Sequence, residues 1–183
     1  MQYKLTTPCT AEDLAPLKAG DTVLLSGVVY TARDQAHKRM LEALDKGEKL
    51  PFDLEGSAIY YVGPTPERPG EIIGSAGPTT SGRMDAMSPR LLDLGNKIMI
   101  GKGKRDAAVK EAVVRNGAVY LAALGGAGAL MAQSVKTLEV IAWPDLGCEA
   151  VRRLTVQDMP LTVILDAHGG DLYLEGPEAY RNR

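Results

Sequence analysis

Apolar and β-branched residues gather in short runs broken by Gly, Pro, Asn and Asp, and between the runs apolar positions recur at helical spacing. Residues 22–30, 57–62, 97–100, 119–123 and 136–142 read as strands. Residues 3–7 alternate and predict a short edge strand. Residues 10–17 predict a helical turn, closed by Lys18-Ala19-Gly20-Asp21. Gly27 inside the long second run predicts a bend or bulge. Ala36, Met40, Leu41 and Leu44 form one face of a helix. Thr31-Ala32-Arg33-Asp34 opens it with a capping-box pattern, and Gly47 ends it. A second helix is expected after Ser81, with Met84, Met87, Leu91 and Leu94 on one side and Gly95 at its end. Pro89 predicts a kink or restart there, because a proline within a helix removes a hydrogen bond and clashes with the preceding turn. A third helix runs from about residue 105 to 115, before Asn116-Gly117, and a small-residue helix covers 126–135. Residues 71–75 are expected as a strand and 151–156 as a strand or extended segment. Residues 161–166 and 172–174 predict a hairpin whose turn holds His168. Strands alternating with helices give an α/β fold, read as a single domain over 1–183.

The apolar pair Ile72-Ile73 leads into Gly74-Ser75-Ala76-Gly77-Pro78-Thr79-Thr80-Ser81-Gly82-Arg83-Met84-Asp85. Three consecutive hydroxyls precede the first charge, Arg83, at the start of a helix. Unpaired N–H groups at a helix start attract anions, and threonine hydroxyls and a guanidinium suit a carboxylate or phosphate. An ordinary helix cap, with Ser81 as N-cap, is the simpler use of the same residues. Two other junctions carry cations: Arg33 at the start of the first long helix, and Lys102 after the 97–100 strand. In open α/β sheets ligands bind beyond the carboxyl ends of strands. If the junctions lie side by side, Arg33, Arg83 and Lys102 converge with Thr79 and Thr80 as nearly uncompensated cations, suiting a small dicarboxylate. His37 lies one turn beyond Arg33 on the same side. A supporting role is expected for it, with direct contact as the alternative.

No phosphate motif competes. Gly101-Lys102-Gly103 lacks the spacing and hydroxyl of a P-loop. Gly125-Gly126-Ala127-Gly128 lacks the third glycine of a dinucleotide fingerprint, because Met131 stands there, and reads as a turn with tight helix packing. A net charge of −2 over 183 residues gives no nucleic-acid footprint. The two cysteines, Cys9 and Cys148, form no motif and cannot by themselves hold a cubane cluster. They suggest a reducing compartment. The N-terminus has no apolar signal segment and no run is long enough to span a bilayer, so a cytoplasmic location without membrane contact is expected.

The stretch from Gly77 to Asp85 closely resembles the signature of the β subunit, or C-terminal domain, of class I fumarases and L-tartrate dehydratases, which are iron–sulfur hydro-lyases. Other blocks agree in order and spacing: Tyr30 to Arg39, Ile100-Gly101-Lys102-Gly103, Gly125-Gly126-Ala127, Trp143-Pro144-Asp145-Leu146-Gly147, and the closing hairpin. Lys104 departs from the family wording, where asparagine is common. The resemblance implies a swivelling β/β/α domain, mixed sheets or a barrel-like layer covered by helices. It implies reversible hydration of fumarate to malate, with a tartrate or mesaconate enzyme as the alternative. It further implies a hetero-oligomer whose α subunit carries the 4Fe-4S cluster, this chain binding none alone. Arg33, Thr79, Thr80, Arg83 and Lys102 would then hold the dicarboxylate, with Thr79, Arg83 and Lys102 as catalytic groups and Thr79 as a candidate proton relay. A carboxylate-binding domain without chemistry, and a structural subunit whose cations serve an interface, remain open alternatives.

Overall fold

The structure, a computed structural model, describes residues 1–123 and 128–181. The chain runs β1 (Gln2–Thr6), α1 (Ala11–Leu14), β2 (Thr22–Thr31), α2 (Asp34–Asp45), β3 (Ala58–Tyr60), α3 (Ser88–Asp93), β4 (Ile98–Gly101), α4 (Ala107–Asn116), β5 (Val119–Ala123), α5 (Gly128–Ser134), β6 (Val135–Ala142), β7 (Val151–Leu165) and α6 (Leu172–Arg181). Short 3₁₀ segments cover Ser81–Met84 and Pro144–Glu149. The strands form one mixed sheet in the order β1-β2-β3-β4-β5-β7-β6. An additional β2–β7 pairing closes β2, β3, β4, β5 and β7 into a barrel-like ring. Neighbours from β1 to β5 pair in parallel, and β7 runs antiparallel to β2, β5 and β6.

Side-chain parity along the middle strands divides the core in two. Ala58, Tyr60, Val62, Ile98, Ile100, Val119 and Leu121 point to one buried cluster, which also holds Val29, Leu154 and Val163 from β2 and β7. The alternate residues, Ile59, Tyr61, Met99 and Tyr120, enter a second cluster with Met40 of α2, Leu91 and Leu92 of α3, and Val109 and Val113 of α4. Strands buried on both faces read as continuous apolar runs, which is the pattern of residues 58–62, 98–100 and 119–123. Met40, Leu91 and Leu92 are at most 1% exposed, and each burial contributes about 2 kcal/mol of transfer free energy.

Several expectations need correction. The closing hairpin is absent. Asp166 accepts N–H bonds from Ala19, His168 and Gly170, which turns the chain, and Asp171 accepts from Tyr173 N–H, so residues 172–181 start a helix instead. A single bridge, Leu165 to Asp171, is what pairs there. Residues 71–75 form no strand, because the loop before them folds back: Thr65 and Ser75 exchange bonds of 2.8 and 3.1 Å. Thr31 makes no capping box. Its hydroxyl donates to Ala150 O and accepts from Arg152 N–H, joining β2 to the start of β7, and Arg33 is the N-cap. The expected restart before Pro89 is present, with α3 beginning at Ser88, although Leu94 is exposed rather than on the buried face. β2 breaks register between Leu25 and Gly27, as its glycine suggested. The Gly125-Gly126-Ala127 turn lies outside the described residues. No described helix is long and apolar enough to cross a membrane.

Candidate functional site

Strands β2, β3 and β4 are parallel neighbours, so their carboxyl ends open on one rim. Arg33 follows β2 and Lys102 follows β4. The signature turn reaches the same rim by acting as a strip of extra strand. Pro78 bridges Val62 beyond β3, and Thr80 bridges Lys102 beyond β4. Thr79 N–H donates to Tyr61 O at 2.7 Å, and Ser81 N–H to Lys102 O at 2.8 Å. The close approach depends on Gly101, where an added Cβ would lie 1.9 Å from Ser81 Oγ. Thr79 is half-buried, whereas Thr80, Arg83 and Lys102 are exposed. Among the described residues neither threonine hydroxyl has a protein hydrogen-bond partner.

The cations are less bare than the sequence suggested. Arg83 forms an ion pair with Asp34, the first residue of α2. Arg33 Nε lies 3.7 Å from Glu149 Oε1. Gathering like charges costs on the order of 1 kcal/mol per pair even in water-like surroundings, and these carboxylates offset part of that. The expectation of nearly uncompensated cations is therefore corrected for both arginines. Lys102 has no carboxylate within ion-pairing distance among the described residues, and Lys104 beside it is likewise exposed. Asp34 was in plain view beside Arg33. Glu149 was not, since only the fold carries it back to α2.

Arg33 is set by its surroundings. A Cβ on Gly63 would sit 2.7 Å from its NH1 and 3.1 Å from its Cδ, so the side chain lies against that bare backbone. Beneath it, His37 is fully buried and donates through Nδ1 to Arg33 O at 2.9 Å. A carbonyl only accepts, so Nδ1 carries a proton. Burial, with Arg105 adding to it, pushes the imidazole pKa down to about 4. His37 Nε2, Arg33 Nε and Asp34 Oδ1 are buried and have no hydrogen-bond partner among the described residues. His37 thus supports the start of α2 and does not reach the surface.

Below the turn lies a polar cluster that sequence reading missed. Arg105, with its side chain fully buried, donates from Nε to Asp85 Oδ1 at 2.6 Å and from NH2 to Ser88 Oγ at 3.0 Å. Its guanidinium lies 5.4 Å from the Tyr61 ring centre and 4.9 Å from that of Tyr120. Asp85 also accepts from Asp106 N–H at 2.7 Å. Two cavities, of about 640 and 430 Å³, lie between the 64–75 loop and the β6 side, and Thr79, Thr80, Arg83 and Lys102 line neither.

Comparison with known proteins adds three relatives. The family model described as Fumarase C-terminus matches residues 1–176. Fumarate hydratase 2 of Leishmania major is 39% identical over 168 residues, covering 88% of this chain and 29% of that protein. The aerobic class I fumarate hydratase of Salmonella typhimurium is 37% identical over 164 residues, covering 88% and 28%. The L(+)-tartrate dehydratase subunit beta of Escherichia coli is 33% identical over 188 aligned residues, covering 100% of this chain and 92% of that subunit. The chain thus spans less than a third of the length of these two fumarate hydratases.

Proposed function

The chain belongs to the Fumarase C-terminus family, and from that membership we propose that it is the β-type component of an iron–sulfur hydro-lyase that reversibly hydrates fumarate to malate. The observation that carries this reading is the Thr80–Lys102 bridge, which brings the signature turn to the rim shared by Arg33 and Lys102. Two arginines, one lysine and two threonine hydroxyls there suit a small dianion better than a nucleotide.

In this reading Arg33 and Arg83 grip carboxylates, and Arg83 exchanges part of its pairing with Asp34 for the substrate. Lys102, without a carboxylate partner of its own among the described residues, stabilises the charge that builds on the carboxylate beside the reacting carbon. Hydration joins the water oxygen to one alkene carbon and a proton to the other. In the same reading the Thr79 hydroxyl relays that proton, its weak basicity helped by the neighbouring cations. Thr80 orients the substrate.

The 4Fe-4S cluster does not fit this chain. A cubane needs roughly three or four thiolates. Cys9 is packed in the core with its thiol pushed up to about 11, and Cys148 is exposed in the 3₁₀ segment. The cluster is assigned to a partner α subunit in a cytoplasmic hetero-oligomer, which the swivelling β/β/α domain completes.

A second reading, L-tartrate dehydratase, is favoured by the subunit relative matched over 92% of its length. Mesaconate is a further candidate acid, and a carboxylate-binding domain without chemistry the remaining alternative. Anaerobic assay of the chain with its cluster-bearing partner on malate, tartrate and mesaconate separates them. The proposal expects the highest kcat/KM on malate. Turnover of tartrate alone selects the second reading, and binding without turnover selects the carboxylate-binding domain.

A further inference from the structure

The polar cluster beneath the rim joins the two loops that carry the site. From the signature come Ser81 and Asp85, and from the start of α3 just after it Ser88; from the loop after β4 come Gly103, Arg105 and Asp106. Tyr61, just past the end of β3, and Tyr120 of β5 both bring their rings to the Arg105 guanidinium. The Tyr61 hydroxyl meets Ser88 Oγ at 3.1 Å. The Tyr120 hydroxyl donates to Gly103 O at 2.9 Å and lies 2.9 Å from Ser81 Oγ. Thr80 and Arg83 flank Ser81 on one loop, and Lys102 adjoins Gly103 on the other.

We infer that Arg105 is a positioning residue, which through Asp85 and Ser88 fixes the signature turn against the Lys102 loop and so sets the spacing of Thr80, Arg83 and Lys102. This rests on the dicarboxylate reading above. Three features favour it over generic stabilisation. The fork uses Nε for Asp85, which ends the signature, and NH2 for Ser88, three residues on at the start of α3, while NH1 meets Met99 Sδ of β4 at 3.3 Å. Asp85 takes both Arg105 and Asp106 N–H, so one carboxylate holds two consecutive residues of the opposing loop. Ser81 links the cluster to the rim, its N–H donating to Lys102 O at 2.8 Å while its hydroxyl meets the Tyr120 hydroxyl at 2.9 Å. A buried ion pair is weak support for stability by itself, because desolvation offsets most of the attraction, whereas its directional bonds fix geometry.

Arg105→Lys tests this, since lysine keeps the charge but offers a single point of donation. In the complex with the cluster-bearing partner, kcat on malate should fall by about 100-fold while KM changes less than about threefold, the size expected of a misplacement near 1 Å. In the full chain alone, amide hydrogen exchange at Ser81 should speed up by about tenfold or more, with Val29 and Leu154 amides unchanged. Unchanged kcat overturns the inference, as does a uniform rise in exchange across β2 and β7, which marks a purely structural residue. If Arg105→Lys does not fold, Tyr120→Phe removes the hydroxyl that holds Gly103 and is read by the same two measurements. Lys102→Ala run beside them separates the failures. Full activity there removes the dicarboxylate reading and the inference with it. Loss of activity there, with Arg105→Lys unaffected, removes the inference alone.

Discussion

Arg83 of the signature turn is paired with Asp34, the first residue of α2. The pair ties two rim loops that are distant in sequence, and it gives Arg83 a resting partner that a substrate carboxylate must partly replace. Asp34→Asn should therefore lower KM or leave it unchanged, because a neutral amide competes less for the guanidinium. It should also lower kcat through a less ordered arginine. Steady-state kinetics on the assembled enzyme reads both, and a raised KM with unchanged kcat would contradict this role.

Arg83→Ala separates function from folding. Its side chain is 54% exposed, so the pair with Asp34 contributes less than about 1 kcal/mol to stability. Loss of transition-state stabilisation should reach about 2–4 kcal/mol, comparable to losing one oxyanion donor. Thermal melting and kcat/KM together decide: a large fall in Tm with activity retained would make Arg83 structural.

Gly63→Ala should act on Arg33. The new methyl would meet the flexible Arg33 side chain at 2.7 and 3.1 Å and the Cys148 carbonyl oxygen at 3.3 Å, so the arginine must move and the backbone beside it give by a few tenths of an ångström. Stability should change by about 1 kcal/mol or less, and kcat/KM should fall by about tenfold to 100-fold. An unchanged kcat/KM would mean that Arg33 does not need its present seat.

Acid stability should report His37. Its folded pKa, about 4, lies below the ordinary value of 6.5. Between these values the unfolded chain binds a proton that the fold refuses, so stability rises with pH and is lost as pH falls from about 6.5 to about 4. The full effect is on the order of 3 kcal/mol. Asp13, Asp21, Asp93, Asp145 and Asp166 have lowered values, so their contributions fall away only below the ordinary carboxylate range. Urea titrations at pH 7 and pH 4.5 should show the loss, and His37→Asn should flatten it. An equal slope in the variant would place the acid sensitivity elsewhere.

The sequence made the strands legible where local pattern and burial agree. Residues 119–123 and 98–100 are buried on both faces, and their continuous apolar character said so. It misled where polar side chains were claimed by distant partners. Thr31 looked like a cap but joins β2 to β7, and Asp171 caps a helix at a point where glycines suggested a hairpin. For the site, the junction residues Arg33, Thr79, Thr80, Arg83 and Lys102 all fall on one end of the parallel strands, because each follows or crosses a strand exit. Glu149 and the Arg105–Asp85 pair carried no local signal, since their partners lie 116 and 20 positions away.

The chain supplied alone with iron and sulfide under anaerobic conditions should take up no cubane, having one core thiol and one exposed thiol. Visible absorbance checks this, and a stable broad iron–sulfur band on the chain alone would move the cluster onto it.

The most direct test of the dicarboxylate site is Lys102→Ala in the assembled enzyme, assayed by loss of the fumarate double bond in the ultraviolet. With partner binding and cluster absorbance unchanged, kcat/KM should fall by about 100-fold or more. Wild-type kcat/KM in that variant would contradict the account.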